Sequence, residues 1–306
     1  MDYEQRLYQL TAEAELVPEG LDLVAGLTGF SDAGAAVAQL KEYLLESLTS
    51  TLIAEFDADE LLDYRARRPV VTFDEDHISE YEPQSLRLYL MTDELGSRFL
   101  FLTGFEPDFK WERFAAAVTS LVDRFKVKAT TWVHAIPMPV PHTRPISVTV
   151  SGNRQELIES MSVWRPTTQA PGNAMHLVEY RLSELDHPIT GFVLLVPHYL
   201  ADTEFPGAAL AGLESVSAAT GLIFPTDRIR EEGRVFLGRI DEQVVSNAEL
   251  AKLVQTLEER HDAYMEGTNL QSPLTVDGEL PTADEIGAEL ERFLAGKRRG
   301  DDDTAD

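Results

Sequence analysis

Leu21 to Leu27 is a mostly apolar run that ends in Thr28-Gly29-Phe30-Ser31-Asp32-Ala33-Gly34, and apolar residues then recur at Ala33, Ala36, Val37, Leu40 and Leu44. A short apolar run, a glycine-bearing turn and a helical period read as a strand, a turn and a helix with one buried stripe. Ser31 or Asp32 is suited to cap that helix, its side-chain oxygen accepting from N–H groups that the first turn leaves unpaired.

The same alternation continues outward. Strands are expected at Leu52 to Phe56, Val70 to Phe73, Leu86 to Met91, Phe99 to Leu102, Ala129 to Ala135, Ile146 to Val150 and Gly191 to Val196. Helices with one apolar face are expected from Trp111 to Phe125, Gly172 to Leu185 and Pro206 to Ala219. Thr92 to Gly96 reads as a hairpin turn, and the prolines between Ile136 and Pro145 forbid a helix and make that segment a stiff loop. Alternating apolar strands and amphipathic helices predict an α/β fold, a three-layer sandwich with a mostly parallel mixed sheet. Residues 1–240 are assigned to this sandwich. Residues 241–296, whose charged stretches Asp241 to Glu266 and Thr282 to Phe293 carry Leu, Val and Ile at helical spacing, are read as a C-terminal helical pair. Residues 297–306 are read as a disordered acidic tail.

Composition narrows the function. Asp and Glu number 53 against 26 Lys and Arg, a formal charge of -27, so the long-range field repels phosphate backbones and anionic lipid. Neither nucleic acid nor membrane is expected as a partner. Arg65, Arg67 and Arg68 form a local basic patch between acidic runs that offset it within a Debye length. The chain has no cysteine, which excludes disulfides, thiolate catalysis and Cys-ligated zinc. No basic, apolar leader opens the chain and no apolar run approaches the length of a membrane span, so a cytoplasmic protein is expected.

Chemistry is sought where loops follow strands, because ligands of open α/β sheets bind outside the strands' carboxyl ends. Four such loops hold Gly29 to Gly34, Gly104 to Pro107, Pro137 to Pro145 and Pro197 to Tyr199. Their convergence predicts one ligand pocket of Ser31, Asp32, Glu106, His142, Arg144 and His198, with Gly29, Gly34 and Gly104 as loop glycines. Gly29-Phe30-Ser31-Asp32-Ala33 resembles a nucleophile elbow with Ala in place of the last Gly, and Glu106 with His142 or His198 follows in the chain order of a hydrolase triad. The competing role for Ser31 is a helix cap. Arg144 beside His142 could clasp a carboxylate or phosphate, and its competing role is an ordinary ion pair. No dinucleotide fingerprint, phosphate loop or metal-ligand spacing is present, so no cofactor and no metal are expected, and no residue is assigned a catalytic role.

Three motifs in order are recognisable: Gly-Phe-Ser-Asp-Ala-Gly at 29–34, Gly-Phe-Glu-Pro-Asp at 104–108 before a Trp-bearing helix, and Pro-His-Thr-Arg-Pro at 141–145. With Pro197-His198-Tyr199-Leu200 and Phe205-Pro206-Gly207-Ala208-Ala209, they make the chain resemble the proteasome assembly chaperone 2 family, in its long actinobacterial form, over Leu21 to Pro225. The resemblance implies a phosphorylase/hydrolase-like sandwich with a C-terminal helical appendage and self-association, with a trimer expected by analogy with similar folds. It further implies a non-enzymatic assembly factor acting on protein clients. The family's hydrophobic–Tyr–any-residue docking tail has no counterpart in Thr304-Ala305-Asp306, so that docking mode is not expected. The alternative is a small-molecule-binding protein or phosphorylase/hydrolase-like enzyme working through the loop cluster.

Overall fold

A computed structural model describes residues 7–165 and 167–266. Its strands are β1 (Tyr8–Leu10), β2 (Leu23–Thr28), β3 (Thr49–Phe56), β4 (Val70–Asp74), β5 (His77–Glu82), β6 (Leu86–Thr92), β7 (Arg98–Phe105), β8 (Thr130–Met138), β9 (Ser147–Gly152) and β10 (Ile189–Pro197). Its helices are α1 (Ala36–Ser47), α2 (Ala58–Leu61), α3 (Trp111–Arg124), α4 (Gln155–Met161), α5 (Ala174–Glu184), α6 (Pro206–Thr220), α7 (Asp227–Ser246) and α8 (Ala248–Met265).

Eight strands form one sheet in the order β1-β3-β6-β7-β2-β8-β10-β9. The parallel part is central: β2 pairs in parallel with β7 and β8, and β8 with β10. The flanking pairs β1/β3, β3/β6, β6/β7 and β9/β10 are antiparallel. The sheet is therefore mixed, with its parallel pairs confined to the four neighbouring strands β7, β2, β8 and β10. A short connection between strands permits only antiparallel neighbours. One such connection is the hairpin read at Gly96, where the Asp93 carboxylate accepts from the N–H groups of Leu95 (2.9 Å) and Ser97 (2.7 Å).

Alternate residues of the central strands serve two cores, as a sheet covered on both faces requires. Leu23, Ala25 and Leu27 of β2 and Leu100 and Leu102 of β7 pack with Phe114, Val118 and Leu121 of α3 and Val178 and Leu182 of α5. Val24, Phe99 and Phe101 face the other way, onto Leu40 and Leu44 of α1 and Leu213 and Val216 of α6. α7 lies outside α6, with Phe236 stacked on Phe205 at 5.2 Å, and α8 follows it. No described helix is long and apolar enough to cross a membrane.

Two elements differ from the sequence reading. Val70 to Phe73 does not join the sheet but pairs with β5 as a separate two-stranded ribbon, exposed on all its residues. Asp241 to Glu266 is not one helix, because Asn247 stops α7 and caps α8 by accepting from Glu249 and Leu250 N–H. The helical pair within the described residues is α7 with α8. It begins at Asp227, so position 241 falls inside α7, while the helix expected at Thr282 to Phe293 and the tail 297–306 lie outside the described residues.

Candidate functional site

The carboxyl ends of β2, β7 and β8 meet the N-terminus of α5 around Glu106, which is 6% exposed. Its Oε2 accepts from Phe30 N–H at 3.1 Å and its Oε1 from Ala174 N–H at 2.7 Å. Ala174 is the first residue of α5, so the carboxylate satisfies an N–H that the helix leaves unpaired and sits at the positive end of the helix dipole. Gly29 makes the approach possible: a Cβ there would lie 2.2 Å from Glu106 Oε2.

Glu106 shares a narrow cleft with Gly29, Ser31, Trp132, His134 and Asn173, and its interior has room for about one water molecule. Asn173 caps α5 by accepting from His176 N–H at 2.9 Å, and its own N–H donates to His176 Nδ1 at 3.1 Å. His176 therefore carries its proton on Nε2. His134, 6% exposed, makes ring contacts with Trp132 and His176 and no hydrogen bond among the described residues. Burial, reinforced by the neighbouring His176, pushes its pKa down to about 4, so it is neutral at pH 7. Behind it Trp132 Nε1 and Ser151 Oγ donate to Glu179 Oε2 at 2.7 and 2.8 Å, and burial raises the Glu179 carboxyl.

Ser31 reaches this cleft but neither caps a helix nor meets a base. Its hydroxyl donates to the carbonyl of Ala135 at 3.1 Å. The cap of α1 is Asp32, whose carboxylate accepts from Val37 N–H (2.8 Å) and Ala38 N–H (3.0 Å), with burial raising its pKa against those bonds. It reaches the helix across Gly34 and Ala35, both at positive φ (70° and 48°), a turn that glycine makes without strain. Gly104 stands within β7 rather than in a loop, backed by the carbonyl of Ser85.

His142 and Arg144 belong to a second cluster. His142 Nδ1 lies 2.7 Å from the Tyr199 hydroxyl, which also accepts from His142 N–H at 2.8 Å, and Nε2 lies 3.2 Å from Asp241 of α7. Burial pushes the Tyr199 phenol up to about 12. Arg144 grips α8: Nε and Nη2 donate to the two oxygens of Asp262 at 2.9 and 2.6 Å, and Nη1 donates to Glu258 at 3.3 Å. That fork holds the Asp262 carboxyl down at about 2. Thr143 donates to Glu258 as well, and the Tyr264 hydroxyl of α8 donates to the Val163 carbonyl at 2.8 Å. His198 is exposed, its ring edge-on to Tyr199.

The single pocket expected of six residues is thus two structures. Ser31 and Glu106 line the cleft; Asp32 caps α1; His142 and Arg144 fasten α7 and α8 to the proline-rich loop, with His198 beside their Tyr199. The Ser31–Glu106–histidine triad does not assemble, because His142 is committed to Tyr199 and Asp241 and Ser31 to a backbone carbonyl. His134 and Asn173 were not anticipated. A histidine near the carboxyl end of an otherwise buried strand, and an Asn before an apolar helix, were the available signals.

Comparison with known proteins accords with this architecture. The family model described as the PAC2 family matches residues 26–244. A Mycobacterium tuberculosis protein of unknown function is 41% identical, with 87% of this chain and 96% of that one covered and a TM-score of 0.80. A Corynebacterium glutamicum protein of unknown function is 33% identical, covering 85% and 98% with a TM-score of 0.82. A M. tuberculosis proteasome-assembly chaperone homologue shares the fold at 23% identity, covering 76% and 100% with a TM-score of 0.69. No curated protein matches the sequence. The family model spans most of the sandwich and both motif-bearing loops at the centre of the sheet, and the chain belongs to the PAC2 family.

Proposed function

We propose that this chain is a non-enzymatic, homo-oligomeric protein-interaction or assembly factor, a trimer, working in the cytoplasm on protein clients. The observation that carries the reading is the commitment of the reactive side chains: Ser31, Asp32, Glu106, His142 and Arg144 each spend their polar atoms on backbone groups or on neighbouring helices. A catalytic constellation needs nucleophile, base and orienting group in mutual reach, with space for a reacting atom. The cleft has room for only about one water molecule. Membership of the PAC2 family supports the same role, as does the likeness of fold to a proteasome-assembly chaperone homologue. Native mass spectrometry of the protein isolated gently from its own cells tests it. Protein subunits co-purifying at fixed stoichiometry are expected; a homo-oligomer carrying only a small-molecule mass would reject it.

A second reading, ligand sensing or catalysis at the Glu106 cleft, is favoured by His134, a buried imidazole without a hydrogen-bond partner among the described residues. Ser31 and Glu106 would be its remaining polar contacts. If it holds, a ligand that raises the melting temperature of the wild type leaves His134→Phe unmoved.

A further inference from the structure

α7 and α8 are joined by a single residue, Asn247, yet their apolar positions form one stripe. Ile229, Ile240 and Val244 of α7 and Leu250, Val254 and Leu257 of α8 recur at helical spacing, and Asn247 falls in phase, three residues from Val244 and three from Leu250. What bends the chain is local. Asn247 is extended (φ -127°, ψ 105°), and its side chain accepts from Glu249 N–H at 3.0 Å and Leu250 N–H at 3.1 Å. An unbroken helix replaces that cap with backbone bonds across the corner, so the two forms differ by little more than the cap itself. Residues 245–249 are all exposed, Val245 by 89%, so α7 can continue into solvent at this corner.

The seat of α8 is made of a few directed polar contacts. Of its 18 residues only Val254 and Leu257 are buried, and neither belongs to the two cores that the sheet separates. Arg144 donates to Asp262 and Glu258, Thr143 donates to Glu258, and the Val163 carbonyl accepts from Tyr264. A cation of the body thus meets two acids of the helix, an attraction that opposes the general repulsion between copies of a chain of formal charge -27. These contacts recognise α8 by its own chemistry and are the same whichever copy supplies it. In a straight α7–α8 helix the last turn of α8 stands roughly 27 Å beyond the corner, clear of its own seat and able to meet the vacated seat of a neighbour. The surface given and the surface received are different, so each copy gives one helix and takes one, and such an exchange closes into a ring, a trimer included.

We propose that α8 is exchanged between copies of this chain, with Asn247 as the hinge and Thr143, Arg144 and Val163 as the seat. It rests on the homo-oligomer reading above and adds the place of contact. The chain has no cysteine, so an introduced pair reports the exchange directly. Thr143→Cys/Glu258→Cys puts one thiol in the seat and one on α8 of the full chain, which is oxidised at micromolar concentration and weighed under denaturing, non-reducing conditions. Chains joined to one another are expected, with either single-cysteine variant unjoined and the wild type an oligomer by light scattering. A disulfide closed within one protomer, while the wild type scatters as an oligomer, overturns the proposal and leaves the homo-oligomer reading standing. A wild type of protomer mass overturns both. Two hinge variants, their fold verified by circular dichroism, test the bend itself. Asn247→Ala removes the cap and should shift the balance from bent to straight roughly fivefold, raising the assembled fraction. Gly-Ser-Gly-Ser inserted after Asn247 lets α8 return to its own seat without a tight corner and should lower it, and an assembly indifferent to that insertion also overturns the proposal.

Discussion

Around Glu106 one carboxylate, almost wholly removed from water, takes two backbone N–H groups that nothing else satisfies. Around Arg144 one guanidinium takes two carboxylates whose side chains remain 29% and 45% exposed. The first arrangement is costly to disturb, because a buried donor that loses its acceptor carries its full desolvation penalty. The second is an open ion pair, which water and salt can replace. Glu106 therefore belongs to the stability of the sandwich itself, while Arg144 sets how firmly the C-terminal helices lie on it.

The contrast is broken most severely at Glu106. Glu106→Ala leaves Phe30 and Ala174 N–H without acceptors and should lower the unfolding free energy in urea by on the order of 3 kcal/mol. Gly29→Ala should destabilise in the same assay by pushing a methyl group into the carboxylate, and pairing it with Glu106→Ala should cost less than the two changes summed.

His134 provides the next effect through pH. Its folded pKa, about 4, lies below the ordinary 6.5, so between these values the unfolded chain binds more protons and stability rises with pH. The contribution is full above pH 6.5 and is lost as pH falls to 4, with a ceiling of roughly 3 kcal/mol. Subtracting the pH profile of His134→Phe from that of the wild type isolates it, since the raised carboxyls of Asp32 and Glu179 act in the opposite sense.

The smallest global effect belongs to Asp262. Its pKa is depressed from 3.8 to about 2, so its contribution is present above 3.8 and is lost as pH falls through 2. Amide exchange at low pH should show α8 released within that window, and raised salt should loosen α8 at neutral pH without moving the pH profile of His134.

The layers of this fold were legible because periodicity reports burial. The stripes of α1 and α3 and the continuous apolar runs of β7 and β10 could belong only to a sheet covered on both faces. The ribbon was not legible: Val70 to Phe73 has strand composition, yet it pairs only with the acidic segment after it, and composition does not say which edge a strand joins. The site was half legible. Glu106 and Ser31 sit at strand ends where crevices form, but convergence of loops is decided in three dimensions, and the proline-rich loop turns His142 and Arg144 toward α7 and α8. The acid surplus was the clue to that outcome, since an arginine among so many carboxylates finds a partner.

Whether the two clusters are independent is tested most directly by hydrogen exchange on Arg144→Ala at neutral pH. Faster exchange across α8, with residues 27–31, 104–106 and 173–176 unchanged, is the result expected of a surface clasp beside a separate buried centre. Faster exchange in the Glu106 segments as well would contradict it, and would restore the single pocket that the sequence suggested.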